Sequence, residues 1–589
     1  MVKKWQILKP DTEAVSKMSQ HLPCHAITAA VLINRNLTSA REATRFLKSS
    51  LDMIRPPFGL KDMDVAISRI YRAIAENENI MIFGDYDVDG ITATAAMLEF
   101  FKHIGSHASY YIPHRIKEGY SLQPHHIHSL ALPNRIQLII TADCGSGSHD
   151  AIAAARQSGI DVIVTDHHTV FEQIPPAAAV LNPKRPDCFS GMEGLSGVGV
   201  AFALIIALRK YLREQNFWRR LPEPNLKNLC DLVALGTIGD MVPLVAENRI
   251  FSKTGLDCIN SLRRPGIKVL CEAAGISNRA TNAEDVAFKL VPRLNAAGRI
   301  AHAETALQLL LADDIATARK LAAALNGFNS QRQKLERLIL DDILADLDHH
   351  PERLENKTLV SWHPEWHQGV LGIVASRLIE TYYRPVVLVA IKGELGKGSA
   401  RSVPGIDLFK ALQACRHCLE DFGGHSMAAG LTIKAENLIE FQHAFDQAVA
   451  RMQPSHDQTP RLTIDAEINF EDLTDQLVDE IESVGPFGTG NPEPLFMARN
   501  VNVLSSKIVG KNHRKMVVRQ GAGQTEKPVS AICFNASNQM LTETNFDRIA
   551  FRLKWNRWNE RKTIQLIIED AHRGSIPFKD SLAWPKQIQ

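Results

Sequence analysis

The sequence predicts a multidomain α/β protein in which a parallel-sheet domain, a long helical connector and a second α/β domain precede a small C-terminal β-barrel. Three observations support this. From about residue 62, short β-branched apolar runs alternate with helix-like segments, as in βαβ units around a parallel sheet. Residues 303 to 347 are rich in Ala, Leu, Arg, Gln and Glu, with no Pro and a single Gly, which favours long helix. From about residue 461, short strand-like pieces are separated by turn residues. The expected divisions are an N-terminal extension at 1–55, the sheet domain at 56–302, the connector at 303–355, the second domain at 356–452 and the barrel at 461–575.

In chain order, the first sheet takes its strands from Ile80-Met-Ile-Phe, Gln137-Leu-Ile-Ile-Thr, Ile160-Asp-Val-Ile-Val-Thr and Ala177-Ala-Ala-Val-Leu. Unbroken runs of this kind belong in a sheet covered on both faces. Helices are expected between them at 92–104, 149–158, 198–213 and 226–237. After the connector, Asp348-His-His-Pro-Glu-Arg makes a polar break, and strands resume at Thr358-Leu-Val-Ser-Trp and Val386-Val-Leu-Val-Ala. Met452-Gln-Pro-Ser-His-Asp-Gln-Thr-Pro reads as a linker.

The 589 residues carry 67 Lys+Arg against 65 Asp+Glu, a formal charge of +2, and 45% hydrophobic residues. Such a composition excludes disorder, collagen and a small disulfide scaffold. The longest apolar stretch, Val198 to Leu208, ends after 11 residues, well short of the ~18–20 of a membrane span. No membrane helix is expected. Met1-Val-Lys-Lys-Trp-Gln-Ile-Leu-Lys lacks the apolar core of a secretory signal, so a cytoplasmic protein is expected, and a monomer. The nine cysteines are odd in number and scattered, as reduced thiols are. Near neutrality argues against a uniformly basic nucleic-acid binder and leaves local patches open.

The first strand is followed by Gly84-Asp85-Tyr86-Asp87-Val88-Asp89-Gly90. If that segment is extended, its three carboxylates share a side and crowd, which is costly unless cations neutralise them. The second strand ends in Thr141-Ala-Asp143-Cys, the third in Thr165-Asp166-His167-His168, and Gly239-Asp240 follows the helix at 226–237. In an open parallel sheet, loops beyond the carboxyl ends of the strands converge on one crevice. Aspartate oxygens suit Mg²⁺ or Mn²⁺, and imidazole tilts the choice towards Mn²⁺. Two such ions could activate water and stabilise an in-line phosphoryl displacement. A single Asp after a strand is ordinarily a turn or cap residue, and the loop is no calcium hand, since Ala96 stands where a ligating Glu is required. Four such signals together are harder to set aside.

Asp85-x-Asp87-x-Asp89-Gly90, Asp143, the Asp166-His167-His168 triplet and Gly239-Asp240 resemble the four motifs of the DHH phosphoesterase superfamily. With Pro292-Arg293-Leu-Asn295-Ala-Ala-Gly298-Arg299, the chain from about residue 55 onward resembles the superfamily's RecJ family of single-strand-specific exonucleases. The resemblance implies that Asp85, Asp87, Asp89, Asp143, His167 and Asp240 ligate two divalent metals, Mn²⁺ or Mg²⁺, with Asp143 as bridge. It implies catalytic roles for Asp143, Asp166 and His168, the last beside the scissile phosphate. It further implies 5′-to-3′ digestion of single-stranded DNA to mononucleotides in recombination and repair, with a helicase and a single-strand-binding protein as partners. Two rivals are a DHH enzyme of short oligonucleotides or cyclic dinucleotides, and a non-catalytic replication scaffold that binds single strands.

In the second domain, Gly423-Gly424-His425 offers a glycine pair that lets amides approach an anion, an imidazole, and then an expected helix start. This segment resembles the signature of the DHH-associated domain, and Gly398 to Ser402 resembles a companion strand. The expected phosphate grip comprises Ser399, Arg401, Ser402, Gly423, Gly424 and His425, with Arg115, Asn295 and Arg299 across the cleft. Arginine's planar fork suits phosphate. Gly393-Glu-Leu-Gly-Lys-Gly-Ser is not a P-loop, because Gly398 follows Lys397, and Cys415-Arg-His-Cys418 lacks the second pair of a zinc site.

The C-terminal part concentrates cations around Lys511, Arg514 and Lys515, and again around Lys554, Trp555, Arg557 and Trp558. Cations with interleaved aromatics form a single-strand platform, with at most one of two tryptophans three residues apart on the binding face of a strand. This part resembles the oligonucleotide-binding fold attached to RecJ proteins.

Overall fold

A computed structural model describes residues 3–170, 173–219, 221–452, 459–521, 527–558 and 561–573, with backbone only for Asn538, Gln539 and Trp558. The first apolar runs become an all-parallel sheet ordered Ala108–Tyr111, Ile80–Gly84, Leu138–Ala142, Asp161–Thr165, Ala179–Leu181. Alternate residues feed two cores, as strand geometry requires. Ile80, Ile82, Leu138, Ile140 and Ile163 enter one, and Met81, Phe83, Ile139, Val162 and Val164 the other. The edge strand Ala108–Tyr111 was not expected, because its Ala-Ser-Tyr-Tyr is only partly buried and lacks an apolar run.

The helix expected at 92–104 spans Val88–His103 instead. Asp87 caps it, its Oδ1 accepting the amides of Asp89 (2.9 Å) and Gly90 (3.3 Å), so the acidic segment is already the first turn. His149–Gln157 and Gly197–Glu214 form close to the expected ranges. The 226–237 segment divides into a 3₁₀ turn, Leu226–Leu229, and a helix, Cys230–Gly239.

The connector comprises Glu304–Leu311 and the 35-residue helix Ile315–His349. It is a shared wall rather than a free linker. Ala318, Ala322 and Leu325 belong to the first domain's core, whereas Ile339, Ile343 and Leu347 pack with the second domain. Between them lies a buried polar waist, in which Arg332 donates to Glu336 (2.6 Å) and to Asn329 Oδ1 (2.9 Å). Arg377 of the second domain stands 3.0 Å from the other Glu336 oxygen.

The second sheet runs Leu419–Gly424, Ala428–Lys434, Leu395–Arg401, Val386–Lys392, Leu359–His363, antiparallel except for the last pair. The helix expected after Gly424-His425 is a tight hairpin. Gly424 has φ 141°, and a side chain there would stand 2.5 Å from Ala429 Cα, a turn only glycine makes readily.

The C-terminal sheet closes on itself: Phe496–Val509 pairs with both His513–Gln520 and Asn545–Trp558, and Arg561–His572 lies between Asn545–Trp558 and Val529–Cys533. The N-terminal segment completes this unit. Lys4–Ile7 pairs with Arg461–Ile464, and Met18, Ala29, Val31, Leu32 and Ala43 share a core with Leu477, Phe496 and Phe551. The buried guanidinium of Arg249, from the first domain, donates to Phe46 O (2.8 Å), Val484 O (2.9 Å) and Gly485 O (2.7 Å). It thus satisfies the C-terminal carbonyls of helices Ala40–Leu47 and Asp475–Val484 at once. All nine cysteines are free thiols, and no described helix is long and apolar enough to cross a membrane.

Candidate metal centre and facing phosphate cradle

Three strand ends converge. Asp85 follows Ile80–Gly84, and its amide donates to Ala142 O (3.1 Å). The chain then turns into helix, so the acids crowd through a strand-to-helix turn and not the extended segment the sequence suggested. Asp143 follows Leu138–Ala142 with φ 65°, a left-handed conformation costing about 1–3 kcal/mol in a non-glycine residue. Its amide donates to Thr165 O (2.9 Å). Asp166-His167-His168 follows Asp161–Thr165. Asp240 ends helix Cys230–Gly239, which approaches closely because Gly236 lacks a Cβ that would stand 2.8 Å from Asp89 Oδ1. Asp89 is held by the start of helix Gly197–Glu214, whose Gly197 and Val198 amides donate to its two oxygens (2.6 and 2.8 Å).

Two of the ligand groups these side chains form are Asp85/Asp87/Asp143 and Asp89/His167/Asp240, and a third, Asp143/His167/His168, overlaps both, with ligand atoms within 4.8 Å in each. His167 Nε2 lies 3.2 Å from Asp143 Oδ1, 3.5 Å from Asp240 and 3.8 Å from Asp89. Asp143 therefore stands between the groups, as a bridge must. Burial, then Asp87, raises Asp85 well above the carboxylate range. Burial and Asp89 do the same to Asp143, and push Asp240 up to about 9. Burial and Asp87 push Asp89 up to about 7. Burial and neighbouring His168 lower His167 to about 3, which keeps its imidazole a neutral ligand. Asp85 Oδ1, Asp143 Oδ1 and both His167 nitrogens are buried without a hydrogen-bond partner. An oxygen-rich donor set whose charges repel and whose buried atoms lack partners fits divalent Mn²⁺ or Mg²⁺.

His168 is oriented rather than orphaned. Asp166 Oδ1 accepts its Nδ1–H (2.8 Å) and the amides of His167 and His168 (2.7 and 3.1 Å), and Oδ2 accepts Ser146 N (2.9 Å). Burial alone would raise Asp166, yet the bond from His168 and the nearby charge hold it well below its ordinary range. Against the pull of burial, Asp166 in turn raises His168 to about 9. Two further residues carried no sequence signal, because fold contacts and not spacing bring them here. Tyr120 Oη lies 3.1 Å from His168 Nδ1. Asn182 Nδ2 donates to His168 O (2.9 Å) and Ser146 Oγ (2.8 Å).

Facing this centre is a cationic wall. Burial, then Arg115 and Arg401, lower Arg299 to about 9; burial and Arg115 lower Arg401. Contacts link the three guanidiniums, two from one domain and one from the other: Arg115 stacks on Tyr86, whose carbonyl lies beside Gly298, and Arg299 and Arg401 meet the same Gly369–Gly372 turn. Arg115 lies over the Tyr86 ring (4.8 Å), and Arg299 donates to Gly369 O (3.1 Å). Ser399 Oγ and Arg401 Nη2 both lie beside Gly372, where a Cβ would meet them at 2.8 and 2.7 Å, at the start of helix Leu371–Tyr382. His425 is lowered by burial, His168 and Lys184, which places it across from the metal ligands. Asn295 Oδ1 accepts the Val88 amide (2.8 Å), fixing the helix that carries Asp89. Ser402 departs from expectation: it is buried, and its hydroxyl donates to Ile406 O (2.9 Å) to hold a turn.

The barrel's cations divide. Lys511 and Lys515 are exposed. Arg514 is buried and donates to Met540 O (2.8 Å) and Glu543 O (2.6 Å), so it holds the barrel together instead of meeting phosphate. Trp555 also departs from its expected stacking role: it is 7% exposed, donates to Asp479 (2.8 Å) and is covered by Lys562 Nζ (3.9 Å from the ring). Lys554 is paired with Glu284 (3.1 Å) and Glu493 (3.2 Å), and Arg557 with Glu482 (2.7 Å). The Trp558 side chain lies outside the described residues.

A parallel sheet with these carboxylates at its strand ends, faced by a cationic hairpin domain, defines a member of the DHH class. The DHH family N-terminal domain matches residues 79–237 and the DHHA1 domain residues 355–451. The RecJ OB domain matches residues 464–570. The chain is 35% identical to the single-stranded-DNA-specific exonuclease RecJ of Escherichia coli, over 97% of this chain and 99% of that protein. It is also 35% identical to RecJ of Bacillus subtilis, over 96% of this chain and 70% of that protein. RecJ of Thermus thermophilus in complex with Mn²⁺ superimposes with a TM-score of 0.82 at 30% identity, covering 97% of this chain and 80% of that one, and its Mg²⁺ complex with 0.76. The chain belongs to the RecJ family.

Proposed function

We propose that this chain is a metal-dependent exonuclease that digests single-stranded DNA from the 5′ end to mononucleotides, in recombination and repair. One observation carries the reading: a metal-ligand cluster and a wall of arginines drawn from both domains face each other within one chain. Bound divalent ions lower the pKa of a water and neutralise the phosphoryl oxygens. Asp85, Asp87, Asp89, Asp143, His167 and Asp240 hold them. His168, kept protonated by Asp166, presents its ring beside Tyr120 to the scissile phosphate and stabilises charge that develops there. Arg115, Arg299 and Arg401, with Ser399 and His425, grip the terminal and adjacent phosphates. Asn295 and the Gly197/Val198 amides keep the acids in place while the strand advances.

The barrel holds the incoming strand through Lys511, Lys515 and neighbouring cations. A helicase supplies single strands from duplex, and a single-strand-binding protein delivers them; the enzyme acts as a cytoplasmic monomer. The test is digestion of 5′-labelled and 3′-labelled single strands with Mn²⁺, Mg²⁺ or EDTA. The expected result is metal-dependent release of labelled mononucleotide at once from the 5′ end and late from the 3′ end. Absence of any metal-dependent product would overturn it. An Arg401→Ala enzyme that kept full kcat/KM on a 5′-phosphorylated strand would remove that residue's role.

A further inference from the structure

The loop between strand Ala108–Tyr111 and the short helix Pro124–His126 carries Arg115, which lies over the ring of Tyr86 (4.8 Å), the residue between Asp85 and Asp87. One side chain that the site's chemistry does not use closes this loop. Glu118 accepts three hydrogen bonds: from the His114 amide on one oxygen (3.1 Å), and from Tyr111 Oη (2.9 Å) and His126 Nε2 (3.0 Å) on the other. Its own amide returns to His114 O (2.9 Å), so residues 114–118 form a ring of backbone and side-chain bonds with Arg115 inside it. The other two partners are fixed from behind. Tyr111 stacks on Phe83 with ring centroids 5.8 Å apart, and His126 packs on the same ring at 4.9 Å. Phe83 is fully buried and lies two residues before Asp85. Arg115 is thereby gauged from the strand that leads into the first metal ligand.

The bonding pattern leaves little room for another side chain. The Gln123 amide donates to His126 Nδ1 (2.9 Å), so the ring proton sits on Nε2 and points at Glu118. An N–H thus faces each carboxylate oxygen. Glutamine would match the shape, yet in either orientation its NH2 group would meet one of those N–H groups and leave donors unpaired, which is costly. An ordinary surface loop needs no such fit. One that must hold a guanidinium in line with a phosphate does, since a misplacement of about 1 Å costs roughly 10²-fold in rate. The adjoining Tyr120 is tied elsewhere, its hydroxyl 3.3 Å from Asp143 O and 3.1 Å from His168 Nδ1, so the ring closed by Glu118 acts on Arg115. We propose that Glu118 is a positioning residue of the terminal-phosphate grip: it holds Arg115 in register with the metal side and thereby sets the preference for a 5′-phosphorylated end.

This assignment rests on the nuclease reading above and on Arg115 as part of the grip. The test compares wild type, Glu118→Gln, Arg115→Ala and the double variant on 5′-phosphorylated and 5′-hydroxyl single strands. The readouts are kcat/KM with Mn²⁺, affinity in EDTA and the unfolding midpoint. Glu118→Gln should lower kcat/KM on the phosphorylated strand by about 10²-fold, narrow the phosphorylated-to-hydroxyl ratio in both rate and affinity, and leave the hydroxyl strand near wild type. Independent sites add to within about twofold; Glu118→Gln should instead have almost no further effect once Arg115 is replaced. A second variant, Tyr111→Phe, removes one donor without opposing two N–H groups, and should narrow the same ratio less. A Glu118→Gln enzyme with the wild-type ratio overturns the assignment alone. So does an equal loss on both strands, or an equal loss with and without Arg115, each the mark of a purely structural role. If Glu118→Gln does not fold, a wild-type ratio in Tyr111→Phe overturns the assignment. An Arg115→Ala enzyme with the wild-type ratio overturns the grip and the assignment together. A wild-type chain inactive under every metal condition overturns the nuclease reading itself.

Discussion

Alanine at position 197 would disable the metal centre without touching a ligand. Its methyl group would contact Asp143 Oδ1 and stand 2.5 Å from Asp143 Cβ and Cγ, where ordinary contact begins near 3.4 Å. Helix or carboxylate must therefore yield by about 1 Å. Either response damages the same place. If the helix Gly197–Glu214 withdraws, the two amides that hold Asp89 at 2.6 and 2.8 Å leave it. If Asp143 rotates, the residue standing between the two ligand groups is displaced. A misplacement of this size costs roughly 10²-fold in rate, or about 2.7 kcal/mol of transition-state stabilisation. The assay is kcat/KM on a long single strand at fixed Mn²⁺, with circular dichroism to confirm the fold. A Gly197→Ala enzyme within threefold of wild type would refute the reasoning, because the steric conflict would then have been absorbed elsewhere.

Asp143→Asn should weaken Mn²⁺ binding by at least about 100-fold, read by calorimetry; unchanged affinity would exclude it as a bridge. Arg249→Ala strands three carbonyls at the ends of two helices and should cost about 3–5 kcal/mol, visible as an earlier first transition in urea. Gln at Lys511 and Lys515 together should lower the salt slope of single-strand binding by about 1.4, two contacts at about 0.7 each; an unchanged slope would place the strand elsewhere. Trp555→Ala should lower stability by about 3–5 kcal/mol, whereas a stacking residue would lose affinity at unchanged stability.

The clustering of the candidate ligands was legible because most of them sit at or just beyond a strand or helix end and several repeat within one short segment. Their means of support were not. Asp-x-Asp-x-Asp reads equally as extended chain or as cap plus first turn, and only the amides of Gly197 and Val198, over a hundred residues on, settle Asp89 in the helix. Gly424-His425 has the composition of a helix start, yet antiparallel pairing with Ala428–Lys434 overrides it. The burial of Arg514 and Trp555 and the pairing of Lys554 and Arg557 were hidden for a similar reason. Asp479, Glu482, Glu493 and Glu284, which neutralise much of the basic strip, are distant in sequence. The N-terminal segment showed no partner, because its core is completed by residues more than four hundred positions away.

The helix Ile315–His349 belongs to two hydrophobic cores, with Leu325 in one and Ile339 in the other. At 1.5 Å per residue, those anchors are about 21 Å apart along an unbroken rod. Spreading the two domains then requires bending that rod, opening a core, or parting Glu336 from Arg377. The separation of the two domains is thus set by the rod itself, as a length written into one helix and not by contacts made anew with each strand.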